Sequence, residues 1–282
     1  MTEAETVETP SGKTSKDENF PVGSWLLPKA LRPHVATFYA FARAADDIAD
    51  NGFLTAEEKV ARLDGFEAAL TGRITGDPAY EKSYAMRRSL AQTGSTPRHC
   101  IDLLAAFKQD ATKLRYRDWD DLIGYCVLSA SPVGRYLLDL HGQRRDLYPV
   151  SDALCNALQI LNHLQDCQKD YRQLDRVYLP GDWLAAEGAT VEDLDKSAAT
   201  PGMRRVLDRT LDGVDVLLAE AVMLPKVLSN ARLSMESAVT VNLALRLARH
   251  LRRGDPLATR VALTRLDFAR CGAAGVLQGV FR

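Results

Sequence analysis

Two polar stripes, each drawn along an otherwise apolar stretch, carry the residue types and spacings in this 282-residue chain that could do chemistry. Tyr39, Arg43, Asp46 and Asp50 recur at i, i+4, i+7 and i+11. At 3.6 residues per turn this confines them to one helix face roughly 60° wide. Their neighbours are Val35, Phe38, Ala40, Phe41, Ala42, Ala44, Ala45, Ile48 and Ala49. A helix apolar nearly all round belongs in an interior, so its carboxylates should line a cavity. Gln159, Asn162, Asp166 and Asp170 repeat the pattern at i, i+3, i+7 and i+11 among Leu154, Ala157, Leu158, Ile160, Leu161 and Leu164. Carboxylates in apolar surroundings need a cation.

The first stripe alone has competing readings. It could be the solvated end of a helix before Asn51-Gly52, with Arg43 neutralising Asp46 or Asp47 as a structural ion pair. The second stripe shifts the balance, because two sets of unpaired carboxylates on apolar helices would cost several kcal/mol in desolvation. His163, beside Asn162 but off the stripe, reads as a satisfied core histidine.

The elements that must position these stripes read as helices throughout. Helical periodicity covers about 33–50, 56–70, 78–92, 98–115, 119–130, 132–144, 152–172, 202–223, 234–252 and 258–270. Several prolines fall at first-turn positions, and Thr55-Ala-Glu-Glu58 is a capping-box pattern. No alternating β-branched run argues for a strand. Residues 1–18 are polar and lack aromatics, which predicts a disordered tail; residues 19–282 form one folded domain.

Composition excludes several function classes. With 36 Lys+Arg against 37 Asp+Glu the chain is near neutral, which gives no reason to expect nucleic acid as a partner. No 18-residue apolar run suggests a membrane span, and no apolar leader stands at the N-terminus. Five cysteines without a C-x-x-C pair argue for small core residues in a reducing cytoplasm. Nothing in the sequence sets an oligomeric state.

At the stripes the sequence resembles a known family. Tyr39-Ala-Phe-Ala-Arg43-Ala-Ala-Asp46-Asp47-Ile-Ala-Asp50 resembles the first aspartate-rich motif of the squalene and phytoene synthases, and Gln159-Ile-Leu-Asn162-His-Leu-Gln-Asp166-Cys-Gln-Lys-Asp170 the second. Asn19-Phe20-Pro21-Val22 resembles the segment that opens the family's fold. Tyr125-Cys126 with Pro132-Val133-Gly134 resembles its central helix pair, and Arg176-Val-Tyr178-Leu-Pro180 the flap after the second motif. The Glu18–Val22, Ser129–Arg135 and Gly254–Leu257 stretches look most like the hydroxysqualene synthases of the bacterial hopanoid pathway.

The resemblance implies an all-α, isoprenoid-synthase-type single-domain helical bundle around a central cavity, acting on a prenyl diphosphate (presqualene or farnesyl) with Mg²⁺. It places Asp46, Asp47, Asp50, Asn162, Asp166 and Asp170 at the metal, with Asp46, Asp50, Asp166, Asp170 and Tyr39 catalytic. Substrate would meet Asn19, Phe20, Arg43, Tyr125, Gly134, Gln159, Arg176 and Tyr178, and Tyr39, Tyr125 and Gln159 would border one pocket. The chemistry is coherent: carboxylates cannot bind an anionic diphosphate directly, but they can hold a hard cation that does. Arg43 suits a phosphate oxygen through its planar fork. Asp47 lies about 100° round the helix from Asp46, where it supports the shell or meets another cation.

Two departures bear on the reaction. Gln165 stands where many relatives place arginine, and the C-terminal third has no tyrosine. Both fit an enzyme that receives presqualene diphosphate, ionises it and lets water capture the cation as hydroxysqualene. The alternatives are presqualene diphosphate synthase, and squalene or phytoene synthase. No nicotinamide cofactor is expected, since no G-x-G-x-x-G loop occurs. A lipid substrate implies peripheral contact with the inner face of a membrane, for which Arg246-Leu-Ala-Arg-His-Leu-Arg-Arg253 offers a basic face. Two other helical classes remain to be separated. Di-iron bundles need Glu-x-x-His pairs, which are absent, and a partner-binding scaffold would leave the stripes metal-indifferent.

Overall fold

The structure, a computed structural model, describes residues 7–8 and 27–280. Twelve α-helices, three short 3-10 helices and one two-stranded ladder occupy these residues. In chain order the helices are α1 (Arg32–Ala49), α2 (Ala56–Thr71), α3 (Glu81–Thr93), α4 (Arg98–Thr112), α5 (Trp119–Ser129) and α6 (Ser131–Leu140), then α7 (Tyr148–Leu174), α8 (Gly181–Ala186), α9 (Pro201–Ala221), α10 (Leu224–Val227), α11 (Ala231–Arg253) and α12 (Arg265–Val280). The expected all-α class holds.

Local chemistry explains most of the boundaries. Proline occupies the first turn of α1, α6, α7, α9 and α10, where no backbone donor is lost. Thr55 and Glu58 close a reciprocal capping box on α2, which ends at Gly72 in the left-handed region. The predicted helix over 258–270 is misplaced. Asp255 accepts from the Leu257 and Ala199 backbone N–H groups and holds a turn there. Thr264 and Asp267 then exchange side-chain to backbone bonds that start α12.

Two strands were not anticipated. β1 (Arg115–Tyr116) follows α4, and β2 (Val177–Pro180) follows α7; they pair in parallel. Asp175, at φ 51°, ends α7 and turns the chain into β2. These short segments tie together the C-terminal ends of α4 and α7.

The stripe helices lie in different parts of the bundle. α1 packs on α2, α3 and α4, whereas α7 packs on α5, α6, α9 and α11. The back of α1 buries Val35, Phe38, Phe41, Ala45 and Ile48, and Phe38 stacks on Tyr136 of α6 at 4.2 Å. The back of α7 buries Leu154, Ala157, Ile160, Leu161 and Leu164. The apolar residues noted in the sequence therefore hold each helix from behind, and the polar stripe of each is turned away from that packing.

Of the segment expected as a tail, Val7 and Glu8 are described, and both meet the fold. The Val7 carbonyl accepts from Arg62 of α2 at 2.9 Å, and Glu8 pairs with Lys82 of α3. The other tail residues, together with Asn19 and Phe20, lie outside the described residues.

Candidate active site

The first stripe is built around Arg43. Its Nη1 lies 2.9 Å from Asp46, and its Nε donates to Asp47 Oδ1 at 2.9 Å, with Nη2 on the same oxygen. The Asp46 side chain is 32% exposed and that of Asp47 only 8%. Asp46 therefore faces the open side, while Asp47, one helical step round, braces the guanidinium from within.

Asp50, just beyond α1, receives a second guanidinium. Arg176 Nη1 lies 2.6 Å from Asp50 Oδ1, Nη2 donates to the Ala49 carbonyl at 2.9 Å, and Nε to the Asp110 carbonyl at 3.0 Å. The cation thus also meets the negative end of the α1 dipole. Lys59 of α2 is close enough to feel both Arg176 and Asp50, and burial, then Arg176, lowers its pKa. The expectation of a flap at 176–180 is corrected: Arg176, Val177, Tyr178, Leu179 and Pro180 are all buried, fixed by the ladder to β1 and by these bonds.

On α7, Asn162, Asp166 and Asp170 are partly exposed while Leu161, Leu164, Gln165 and Cys167 are buried. Arg260, from the loop before α12, comes within 3.7 Å of Asp166. Burial first, and then the negative charges of Asp166 and Asp50, push the Asp170 carboxyl up to about 7. Asp50 and Asp170, the last acids of the two stripes, are close enough for the charge of one to act on the other. Among the described residues, no three His, Cys, Asp or Glu side chains converge closely enough to hold an ion.

Behind the stripes lies a buried cluster whose centre, Asp110, the sequence reading missed. Asp110 of α4, 4% exposed, accepts from Tyr125 Oη and Tyr178 Oη, both at 2.9 Å. Burial pushes its carboxyl up to about 6 against the opposing pull of Arg176 and the two phenols. Tyr178 stacks on His163 at 3.6 Å, and His163 Nδ1 stands 4.0 Å from Asp170. Burial holds His163 neutral, at about 3, and its Nε2 has no hydrogen-bond partner, so this core histidine is not fully satisfied. One signal for Asp110 was present. Cys100, Leu103, Phe107 and Asp110 follow one another at i, i+3, i+7 and i+10, which places the acid on the inward face of its helix.

From the second stripe an apolar cavity of about 310 Å³ runs between α6, α7 and α11. Gln159 and Asn162 of α7, with Glu236, Ser237 and Thr240 of α11, supply polar lining; Val133, Leu137, Leu158 and Leu233 supply apolar walls. Gly134 lines it too, and for a reason of space: a Cβ there would fall 2.4 Å from Ser151 Oγ and 2.6 Å from Cys155 Sγ. α6 and α7 approach this closely only because the side chain is missing. The expectation that Tyr39, Tyr125 and Gln159 border one pocket is met by Gln159 alone. Tyr125 is turned into the Asp110 cluster, and Tyr39, half-buried on α1, is not among the lining residues.

Two of the four arginines of the basic face expected at 246–253 are engaged within the protein. Arg246 pairs with Asp267 at 2.7 Å, and Arg252 with Asp212 and Asp215 at 2.6 Å each. No helix among the described residues is long and apolar enough to cross a membrane.

Two carboxylate stripes, one of which continues into a cavity with largely apolar walls, would suit an anionic head group on a hydrocarbon chain only with cations to bridge carboxylate and anion. Residues 13–267 match the squalene/phytoene synthase family. The chain is 47% identical over 261 residues to a hydroxysqualene synthase of Rhodopseudomonas palustris, covering 93% of this chain and 88% of the relative. With a hydroxysqualene synthase of Zymomonas mobilis the identity is 41% over 272 residues, covering 95% and 91%. A crystal structure of squalene synthase HpnC from Alicyclobacillus acidocaldarius aligns with a TM-score of 0.72 at 32% identity, over 82% of this chain and 87% of that one. Matched along nearly its whole length in sequence and in architecture, the chain belongs to the squalene/phytoene synthase family and is an enzyme.

Proposed function

We propose that this enzyme converts presqualene diphosphate and water into hydroxysqualene and diphosphate, with Mg²⁺, in the hopanoid branch of squalene biosynthesis. The observation that carries the reading is the continuity of the second stripe: Gln159 and Asn162 line the apolar cavity, while Asp166 and Asp170 continue the same helix face beyond it. A diphosphate would sit at the carboxylate end and the hydrocarbon in the cavity. Such a division of polar and apolar contacts is common to small-ligand sites. The identities of 41–47% to relatives named hydroxysqualene synthase support this reaction over the condensing alternatives. Residues 19–282 form the catalytic domain, acting in the cytoplasm with peripheral contact at the membrane that holds its lipid substrate.

The donor set fits Mg²⁺. Asp46, Asp50, Asn162, Asp166 and Asp170 offer only hard oxygens, with Asp47 supporting them through Arg43. Burial first, and then Asp166 and Asp50, raise the Asp170 pKa, and a cation bound there would offset that cost. Bound Mg²⁺ would make the diphosphate a leaving group.

The chain's own residues do the rest. Arg43 and Arg176 hold the first-stripe carboxylates in place, and Arg43 can turn its fork to a phosphate oxygen. The Asp110 cluster locks Tyr178 behind His163 and so fixes the back of the second stripe. The apolar walls exclude bulk water from the carbocation, and Gln159 can hold the one water that ends the reaction. Asp46→Asn and Asp166→Asn test the assignment. Each should lower turnover at least a hundredfold with the melting temperature unchanged within 2 °C or so, since both side chains are partly exposed. Near-normal turnover in either variant removes the metal assignment.

A further inference from the structure

We propose that α12 is a membrane-docking helix that seats the enzyme on an anionic lipid surface. This rests on the peripheral membrane contact proposed above and names the surface and the lipid chemistry. The helix is built inside out. Its one acid, Asp267, is 3% exposed and bonded to Arg246 and Thr264, whereas Leu266 and Leu277 are 56% and 55% exposed. Leu266, Arg270, Ala273 and Leu277 follow one another at i, i+4, i+7 and i+11, so they share the outer face. The inner face is fixed at both ends: Asp267 holds one, and at the other Gly275 lies so close to α11 that an added Cβ would stand 2.6 Å from the Val239 backbone nitrogen. The helix therefore presents its leucines outward.

Charge selects the partner. Residues 246–282 contain eight arginines and two aspartates, in a chain whose formal net charge is −1. Both aspartates are engaged inside the protein, Asp255 by backbone N–H groups and Asp267 by Arg246. Arg249, Arg253, Arg260, Arg265 and Arg270 are exposed. Apolar side chains among arginines, with no exposed carboxylate on the same helix, match the boundary between anionic head groups and acyl chains. The Arg260 contact to Asp166 and the Gln165 bond to the Val261 carbonyl at 2.7 Å tie the loop before α12 to α7. Docking here would bring the lipid surface to the segment that adjoins the second stripe.

The test is sedimentation of the full chain with vesicles of phosphatidylcholine, with and without 30% phosphatidylglycerol, in the absence of Mg²⁺ and substrate. Binding should require the anionic lipid and weaken with salt. It should fall about fivefold for each of Arg265→Gln and Arg270→Gln and at least tenfold in Leu266→Glu/Leu277→Glu. Melting temperatures should be unchanged, because all four side chains are exposed, and turnover of detergent-dispersed presqualene diphosphate by the leucine variant should match the parent. Equal binding to neutral vesicles, binding unaffected by the variants, or no binding at all would overturn the proposal. So would a dimer of the parent chain that Leu266→Glu dissociates, since the face would then belong to a second copy. Vesicle binding in a chain that turns over no presqualene diphosphate would uphold this inference and reject the reaction instead.

Discussion

Replacing Asp110 with asparagine should make the protein more resistant to rising pH. Asparagine keeps the shape of the side chain. Its oxygen can accept from one phenol and its amide can donate to the other, so the hydrogen bonds to Tyr125 and Tyr178 are largely retained. What disappears is the titration. In the folded chain the Asp110 carboxyl keeps its proton up to about 6, against 3.8 for the ordinary group. Between these values the folded state binds more protons than the unfolded state, so the contribution of Asp110 is full below 3.8 and is lost as pH rises through about 6. The whole shift is worth about 3 kcal/mol, of which about 2 kcal/mol falls between pH 4.5 and 8. In a chain of this size that is a change of roughly 3–4 °C in melting temperature. Thermal unfolding of the parent and Asp110→Asn at half-unit steps across this range should show the parent losing that much relative to the variant. Parallel profiles would refute a buried, proton-holding Asp110, whatever the absolute stabilities.

Two further outcomes follow from the same structure. Gly134→Ala places a methyl group against Ser151 and Cys155 and should cost about 1–3 kcal/mol through forced separation of α6 and α7; a melting temperature equal to that of the parent would show that the two helices yield freely. Mg²⁺ affinity, measured by calorimetry with a farnesyl diphosphate analogue, should rise with pH up to about 7 and then level off. Asp170 keeps its proton to about 7 in the metal-free chain, and a ligand carboxylate must release it. An affinity independent of pH between 5.5 and 8 would remove Asp170 from the metal shell.

The parts of this molecule that were legible in its sequence are those set by helical periodicity. The stripes at Tyr39–Asp50 and Gln159–Asp170 repeat with the helix, and a polar face on an apolar helix can only border a gap or solvent. The helix boundaries marked by Pro33, Thr55, Pro149 and Pro201 were legible because capping is local. What escaped notice depends on contacts between segments distant in the chain. β1 is two residues long and forms only because the end of α7 lies beside the end of α4, so it carries no pattern of its own. Arg176 reads as a loop residue until its partners Ala49, Asp50 and Asp110, from two other helices, are assembled around it. Periodicity alone starts α12 several residues early because apolar residues at 261–263 extend the pattern backward, whereas the Asp255 turn and the Thr264 cap decide where it begins.

The central claim is that water, and not hydride or a second prenyl diphosphate, ends the reaction. Incubation with presqualene diphosphate and Mg²⁺ in H₂¹⁸O, analysed by mass spectrometry, tests it most directly. The account predicts an alcohol of squalene carbon number carrying one heavy oxygen, formed at the same rate with and without NADPH. Squalene formed only when NADPH is present, or consumption of farnesyl diphosphate with no reaction of presqualene diphosphate, would contradict it.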